Sequence, residues 1–248
     1  MRAVAELQPY IERARSFSGW NFEDLAVRDL PPGPPPWDYA SIAREYAADA
    51  RTIVDFGTGG GEVFSRIVPG LPARTVASEE WVVNAPVARE RLAPLGVDVI
   101  RADSLRPPFP AATFDLALSR HEAIDPPQID RILRTGGVFL TQQVARRNWQ
   151  ELSSFFPNRT RFGDHFKLYS DWFRIAGYDV ETREHQWPLA YAGIGEVAYM
   201  LLLTPSEFPG FDPVADIDAL FALEDACRTD DGIILTADRY LMIARKPA

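Results

Sequence analysis

Cysteine is almost absent: Cys227 is the single one in 248 residues. That excludes an intrachain disulfide and a metal cluster built on cysteine. Histidines number three, and none stands with carboxylates at metal-ligand spacing, so no metal is expected. Lysine occurs only at Lys167 and Lys246, and arginine supplies the other basic charges. Positive surplus is lacking as well. The net charge of −9 disfavours a nonspecific nucleic-acid binder, which needs a basic footprint. Apolar runs such as Val197–Leu203 fall far short of the ~20 residues of a membrane span. Met1–Pro9 has no apolar signal core, and a soluble, cytoplasmic protein is expected. There is no internal repeat, and the only low-complexity stretch is Pro31–Pro36. What remains is ordinary globular composition, 46% hydrophobic and 25% charged, at a length that suits one α/β domain with additions.

The most informative stretch is Arg51–Glu62. Ile53 and Val54 read as a buried strand that ends on Asp55. Gly57, Gly59, Gly60 and Gly61 follow, and Val63–Val68 opens a helix whose first N–H groups face the turn. A strand, a glycine turn and a helix N-terminus make a nucleotide-sized site, because a missing Cβ lets backbone approach a ligand closely. The dinucleotide fingerprint fails here, since Glu62 stands where its third glycine belongs. A phosphate-binding loop would need a Gly-Lys pair, and no lysine is near. Asp55 repels a pyrophosphate yet can accept hydrogen bonds from an ammonium group. The turn therefore suits a nucleoside that carries positive charge and an amino acid tail.

Asp55-x-Gly57-x-Gly59-x-Gly61 resembles motif I of the class I S-adenosylmethionine-dependent methyltransferases, in the broad methyltransferase-domain, type 11-like subgroup. Further segments match in order over about residues 50–145. Ala73–Trp81 looks like the second strand and its terminal acid. Val97–Leu105 looks like the third strand, Phe109–His121 the fourth, and Ile132–Gln143 the glycine turn and fifth strand. The resemblance implies a Rossmann-like fold: a seven-stranded, mostly parallel sheet with an antiparallel last strand and helices on both faces. It implies S-adenosylmethionine as methyl donor and S-adenosylhomocysteine as product.

It also assigns residues. Asp55 orients the loop and approaches the methionine ammonium, and Gly57, Thr58, Gly59 and Gly61 offer backbone to the methionyl and ribose portions. Glu79 accepts both ribose hydroxyls, with Glu80 as competitor should the strand end one residue later. Trp81 stacks on adenine, Asp103 reads its amino group, and Ser104 and Leu105 line that edge. Arg120 offers backbone to the methionyl tail. His121, at the end of the fourth strand, is the candidate base, since an unperturbed imidazole titrates near neutrality. Gln142 or Gln143 points into the cavity to position the acceptor. His165 and His185 look less well placed. Asp125-Pro-Pro-Gln128 resembles the Asp-Pro-Pro-Tyr motif of nucleic-acid aminomethylation only by chance, because Gln128 cannot stack a flipped base.

Residues 1–248 read as a single domain. Residues 1–50 form a helical arm that lies over the cofactor mouth, with Trp20, Trp37 and Tyr39 as lid or substrate contacts. Residues 51–187 form the cofactor core, 188–232 an insertion that caps the substrate, and 233–248 the last strand. The expected function is methyl transfer to a small-molecule acceptor, at oxygen or nitrogen before carbon. Two alternatives stand beside it. One is an RNA methyltransferase using Arg146, Arg147, Arg159, Arg161 and Lys167 as a basic edge; the other is a cofactor-binding protein without transfer activity. A nicotinamide oxidoreductase is disfavoured by Asp55 and Glu62.

Overall fold

The computed structural model describes residues 4–18, 20, 22, 24–71, 73–160 and 164–248. Arg161 of the expected basic edge lies outside these residues. In chain order the elements are α1 (Gln8–Arg15), β1 (Val27–Asp29), α2 (Tyr39–Ala47), β2 (Thr52–Phe56), α3 (Phe64–Ile67), β3 (Arg74–Ser78), α4 (Asn84–Leu92) and β4 (Asp98–Ile100). They continue with β5 (Phe114–Arg120), α5 (Pro126–Ile132), β6 (Leu133–Val144), α6 (His165–Ile175), β7 (Asp179–Tyr191), α7 (Ile194–Leu203), α8 (Ile217–Cys227), β8 (Arg228–Thr229) and β9 (Gly232–Arg245). Local chemistry sets several boundaries. Asp38 caps α2 by accepting the Ser41 N–H at 2.8 Å, which satisfies one of the free donors of a helix start. Asp125 precedes Pro126 and Pro127 in the first turn of α5, where proline is tolerated because no N–H is needed. The Asp-Pro-Pro tripeptide is thus a helix start.

The strands form one sheet in the order β1-β7-β9-β6-β5-β2-β3-β4, with β8 paired to β9. From β4 to β6 the neighbours are parallel. β9 runs antiparallel between β6 and β7. The sheet is nine-stranded, against the seven strands expected from sequence. The additions are β1, from the arm, and β8, and both have one cause. β7 and β9 outrun the rest of the sheet as a ladder paired from Asp179 to Tyr191. Their outer half offers free edge groups to Val27–Asp29 and Arg228–Thr229. Pro188 reads as a strand stop in sequence, yet pairing runs through it, and its carbonyl accepts the Leu30 N–H at 3.0 Å.

Both sheet faces are covered, so the central strands are buried on both sides. Ile53, Leu118 and Leu140 pack against α2, α3 and α4 on one face. Val54, Phe56 and Phe139 pack against α5 and α6 on the other. Each such side chain contributes about 1.5–3 kcal/mol when removed from water. A third cluster joins α1, α7, α8 and the 3₁₀ turn Gln150–Ser154 to the outer part of the β7–β9 ladder. Among the described residues no helix is long and apolar enough to cross a membrane.

Candidate functional site

The parallel strands end at one carboxyl edge, and most of the expected site residues gather there. The turn after β2 takes left-handed backbone at Gly57 (φ 60°) and Gly59 (φ 62°), which side-chain-bearing residues adopt only with strain. A Cβ on Gly57 would fall 2.4 Å from Cγ of Glu122, and one on Gly59 would fall 2.4 Å from Cδ1 of Trp20. The turn is thus a cradle that two side chains already touch. Gly61, also left-handed at φ 79°, closes the turn by donating to the Thr58 carbonyl at 2.9 Å, and the Thr58 N–H ties back to Ser78 of β3 at 3.0 Å.

Beside this turn, Glu79 follows β3 and is buried. Its Oε2 accepts the Gly59 N–H at 2.7 Å and its Oε1 accepts the Trp81 N–H at 2.9 Å. A carboxylate offers about four lone-pair sites, so each oxygen keeps capacity for a second donor. Glu80 is exposed. Trp81 is 49% exposed, and its ring centroid lies 6.2 Å from that of Trp20. Asp103 accepts the Leu105 N–H at 2.8 Å, fixing the turn after β4. Ser104 is buried beside it, while Leu105 is exposed.

Glu122 has no role in the sequence reading, yet it lies over Gly57 and hydrogen-bonds Ser104. Burial, then the field of Glu79, pushes its carboxyl up to about 7. Asp55, fully enclosed at the end of β2, is pushed up to about 7, first by burial and further by Glu79. Burial also raises Glu79 itself. Like charges in a desolvated space are the common cause.

Across β5 the sign changes. Arg120 and His121 are both exposed, and the protein packed around them lowers the pKa of each. His121 sits well below its ordinary value, through burial and then the fields of Arg120 and Arg239. The shift favours the neutral imidazole. Its backbone is left-handed at φ 60°, a costly conformation for a non-glycine residue that often marks a functional position; its N–H donates to the Gln142 carbonyl at 2.9 Å.

Gln142 stands opposite Arg120 on the same sheet face, and its Oε1 accepts the Trp37 indole N–H at 2.9 Å. Gln143 faces the opposite side of the sheet and locks the β5 turn, donating to the Glu122 carbonyl and Thr141 Oγ1 at 2.8 Å each. The buried Tyr39 hydroxyl donates to the Ser119 carbonyl at 3.4 Å.

Arg239 also escaped the sequence reading. It reaches this edge only through the register of β9, which sets it opposite Val144 of β6 and His185 of β7. His185 stands between Trp37 and Trp187, at 6.3 and 5.8 Å between ring centroids, and so lies closer to the site than expected. Local sequence carries no signal for either residue.

The expected basic edge is not one surface. Arg159 turns inward to Glu207 and the Trp149 and Asn148 carbonyls, and Lys167 pairs with Asp171. A depression of about 360 Å³ lies at the other end of the strands, between Tyr46, Asp115 and Gly136. There Asp115 is committed to the Arg51 and Thr52 N–H groups and to Arg134. Ligands of open α/β sheets bind at the carboxyl edge instead. Among the described residues no group of histidine, cysteine and carboxylates could hold a metal ion.

No protein-family model matches the chain, and no curated protein matches it in sequence. Solved structures do match. A protein of unknown function from Deinococcus radiodurans R1 has a TM-score of 0.62 at 18% identity, over 96% of this chain and 99% of that one. A protein of Bacillus halodurans C-125, provisionally named a methyltransferase, has a TM-score of 0.60 at 16% identity, over 84% and 99%. The [4+2]-cyclase SpnF has a TM-score of 0.56 at 16% identity, over 98% and 93%. At these identities the likeness is one of fold.

Proposed function

From the fold of the class I S-adenosylmethionine-dependent methyltransferases, which this chain has, we propose that it transfers a methyl group from S-adenosylmethionine to a small molecule, at oxygen or nitrogen. The observation that carries the reading is Glu79, buried at the end of β3 and braced against the glycine turn by two backbone N–H groups. The turn, with glycine at 57, 59, 60 and 61, and the acids around it fit a cationic nucleoside and oppose a diphosphate. When bound, the donor supplies a methyl group already activated by its positive sulfur.

The chain's own residues then do the following. Glu79 accepts the ribose hydroxyls, and Gly57, Thr58, Gly59 and Gly61 give backbone to the methionyl portion, with Asp55 near its ammonium. Trp81 and Leu105 flank the adenine, and Asp103 with Ser104 accepts from its edge. Arg120 gives backbone to the methionyl tail. Trp20 and Trp37 cover the site from the arm and exclude water, which fixes donor and acceptor in line. Gln142 and Tyr39 shape the acceptor side. His121, shifted toward its neutral form, takes the acceptor's proton at an imidazole nitrogen.

Calorimetry with S-adenosylhomocysteine, followed by mass-spectrometric detection of methylated products across hydroxyl and amine acceptors, tests the reading. Binding and transfer would support it; neither would reject it. A second reading, binding without transfer, draws on the likeness to SpnF, a cyclase, over 98% of this chain. Donor binding with no methylated product across the panel would favour it. The RNA reading is weakened by Arg159, whose charge is spent on Glu207.

A further inference from the structure

We propose that the acceptor carries an anionic group, a carboxylate or a phosphate, clamped between Arg120 and Arg239 at the carboxyl edge. The inference rests on the methyltransferase reading and names its substrate class. The register is the starting point. Arg120 of β5 stands opposite Gln142 of β6, Gln142 opposite Leu241 of β9, and Arg239 projects from the same face two residues before Leu241. His121 lies in the field of both guanidiniums, and each guanidinium lies in the field of the other. Two cations therefore share one face of the sheet at its carboxyl edge, in a chain whose net charge is −9.

Among the described residues neither forms an ion pair, although Asp55 and Asp38 act on Arg120, and Asp238 and Glu207 on Arg239, through their fields. Arg120 makes no side-chain hydrogen bond or ion pair among the described residues. Among the described residues Arg239 donates to neutral acceptors, Asn148 Oδ1 at 2.6 Å and the Asp238 carbonyl at 2.8 Å. The nearby carboxylates are engaged elsewhere. Asp38 accepts from Ser41, Asp238 from the Arg147 N–H, and Glu207 from Arg159. Asp55, in the field of Arg120, is enclosed beside the glycine turn. Arg120 is exposed and Arg239 half-buried, and the protein crowded around them lowers both guanidiniums, Arg239 to about 10. A guanidinium fork matches the two oxygens of a carboxylate or phosphate. Trp187, 5.7 Å beneath the Arg239 guanidinium, and Trp37, fixed on Gln142, add flat walls next to the clamp.

The test uses the full chain saturated with S-adenosylhomocysteine and titrated calorimetrically with benzoate, inorganic phosphate and, as neutral control, benzamide. Benzoate or phosphate is expected to bind at least tenfold more tightly than benzamide. Arg120→Gln and Arg239→Gln are each expected to weaken the anion at least tenfold. Arg239→Lys, which keeps the charge and loses the fork, is expected to fall between. S-adenosylhomocysteine affinity should stay within twofold in Arg239→Gln, which also shows that this variant is folded. Preference for benzoate assigns a carboxylic acid, and preference for phosphate a phosphate ester. Equal binding of benzoate and benzamide with no binding of phosphate, or anion binding unchanged in Arg239→Gln, would overturn the clamp. Arginine-dependent anion binding in a chain that ignores S-adenosylhomocysteine would instead keep the clamp and remove the methyltransferase reading.

Discussion

On the β2–β3 side of the carboxyl edge stand Asp55, Glu79, Glu80, Asp103 and Glu122; on the β5–β9 side stand Arg120, His121 and Arg239. Among these, burial raises Asp55, Glu79 and Glu122 and lowers Arg120, His121 and Arg239. Each half thus holds like charges in a space that disfavours them, and each is relieved by a ligand of opposite sign. Sorted by sign, the acidic half is the one proposed for the cationic donor and the basic half the one proposed for an anionic acceptor. The boundary is the β5 turn, where the left-handed His121 separates Arg120 from Glu122.

The comparison can be broken from either side. The largest effect is expected on the basic side. His121→Ala should slow turnover on the order of 10²–10⁴-fold, the usual worth of a general base, with donor affinity within twofold. Equal loss of both would place His121 among structural residues.

On the acidic side, Glu79→Ala should weaken donor binding by about 2–3 kcal/mol, since a hydrogen bond to a charged group is worth about 1.5–3 kcal/mol. Roughly 30- to 150-fold in Kd follows. Glu79→Gln keeps an acceptor for one backbone N–H and serves as the fold control in a thermal melt. Unchanged affinity in both variants would remove Glu79 from the site.

A smaller effect is expected from Gly59→Ala. Left-handed backbone costs about 1–3 kcal/mol for other residues, and the new methyl group meets Trp20. A lower Tm together with weakened donor binding would tie the arm to the turn. A lower Tm with intact binding would detach Trp20 from the cofactor.

The smallest effect sharpens the acidic half by pH. Asp55 and Glu122 titrate near 7 in the folded chain, against ordinary values of 3.8 and 4.5. The folded chain therefore holds extra protons between about pH 4 and 7. Their stabilising contribution is complete below pH 4 and is lost as pH rises through 7. Tm should decline over that window, and affinity for the cationic donor should rise. Glu122→Gln should flatten both slopes, and identical slopes would contradict its place in the cluster.

The acidic half was the more legible in sequence. Asp55, the glycines and Glu79 lie within one strand–turn–helix and the next strand end, so short-range order carries them. Glu79 and Glu80 differ in burial only in the structure, where β3 ends at Ser78 and Glu79 alone is buried. The basic half was read only in part, at Arg120 and His121. Arg239 comes to the edge through the register of a long antiparallel ladder, and no local pattern states a register. Glu122 was hidden for a related reason: its importance comes from lying over Gly57, a contact between separate turns. The same ladder hid β1 and β8, because Pro188 looks like a terminus when only its neighbours in sequence are considered.

The central claim is that the acidic turn takes a cationic sulfur nucleoside. The most direct measurement is calorimetric titration of the purified chain at pH 8 with S-adenosylmethionine, S-adenosylhomocysteine and NAD in parallel. The account expects saturable one-to-one binding of the first two and none of NAD. Tight binding of NAD with no response to either sulfur nucleoside would contradict it.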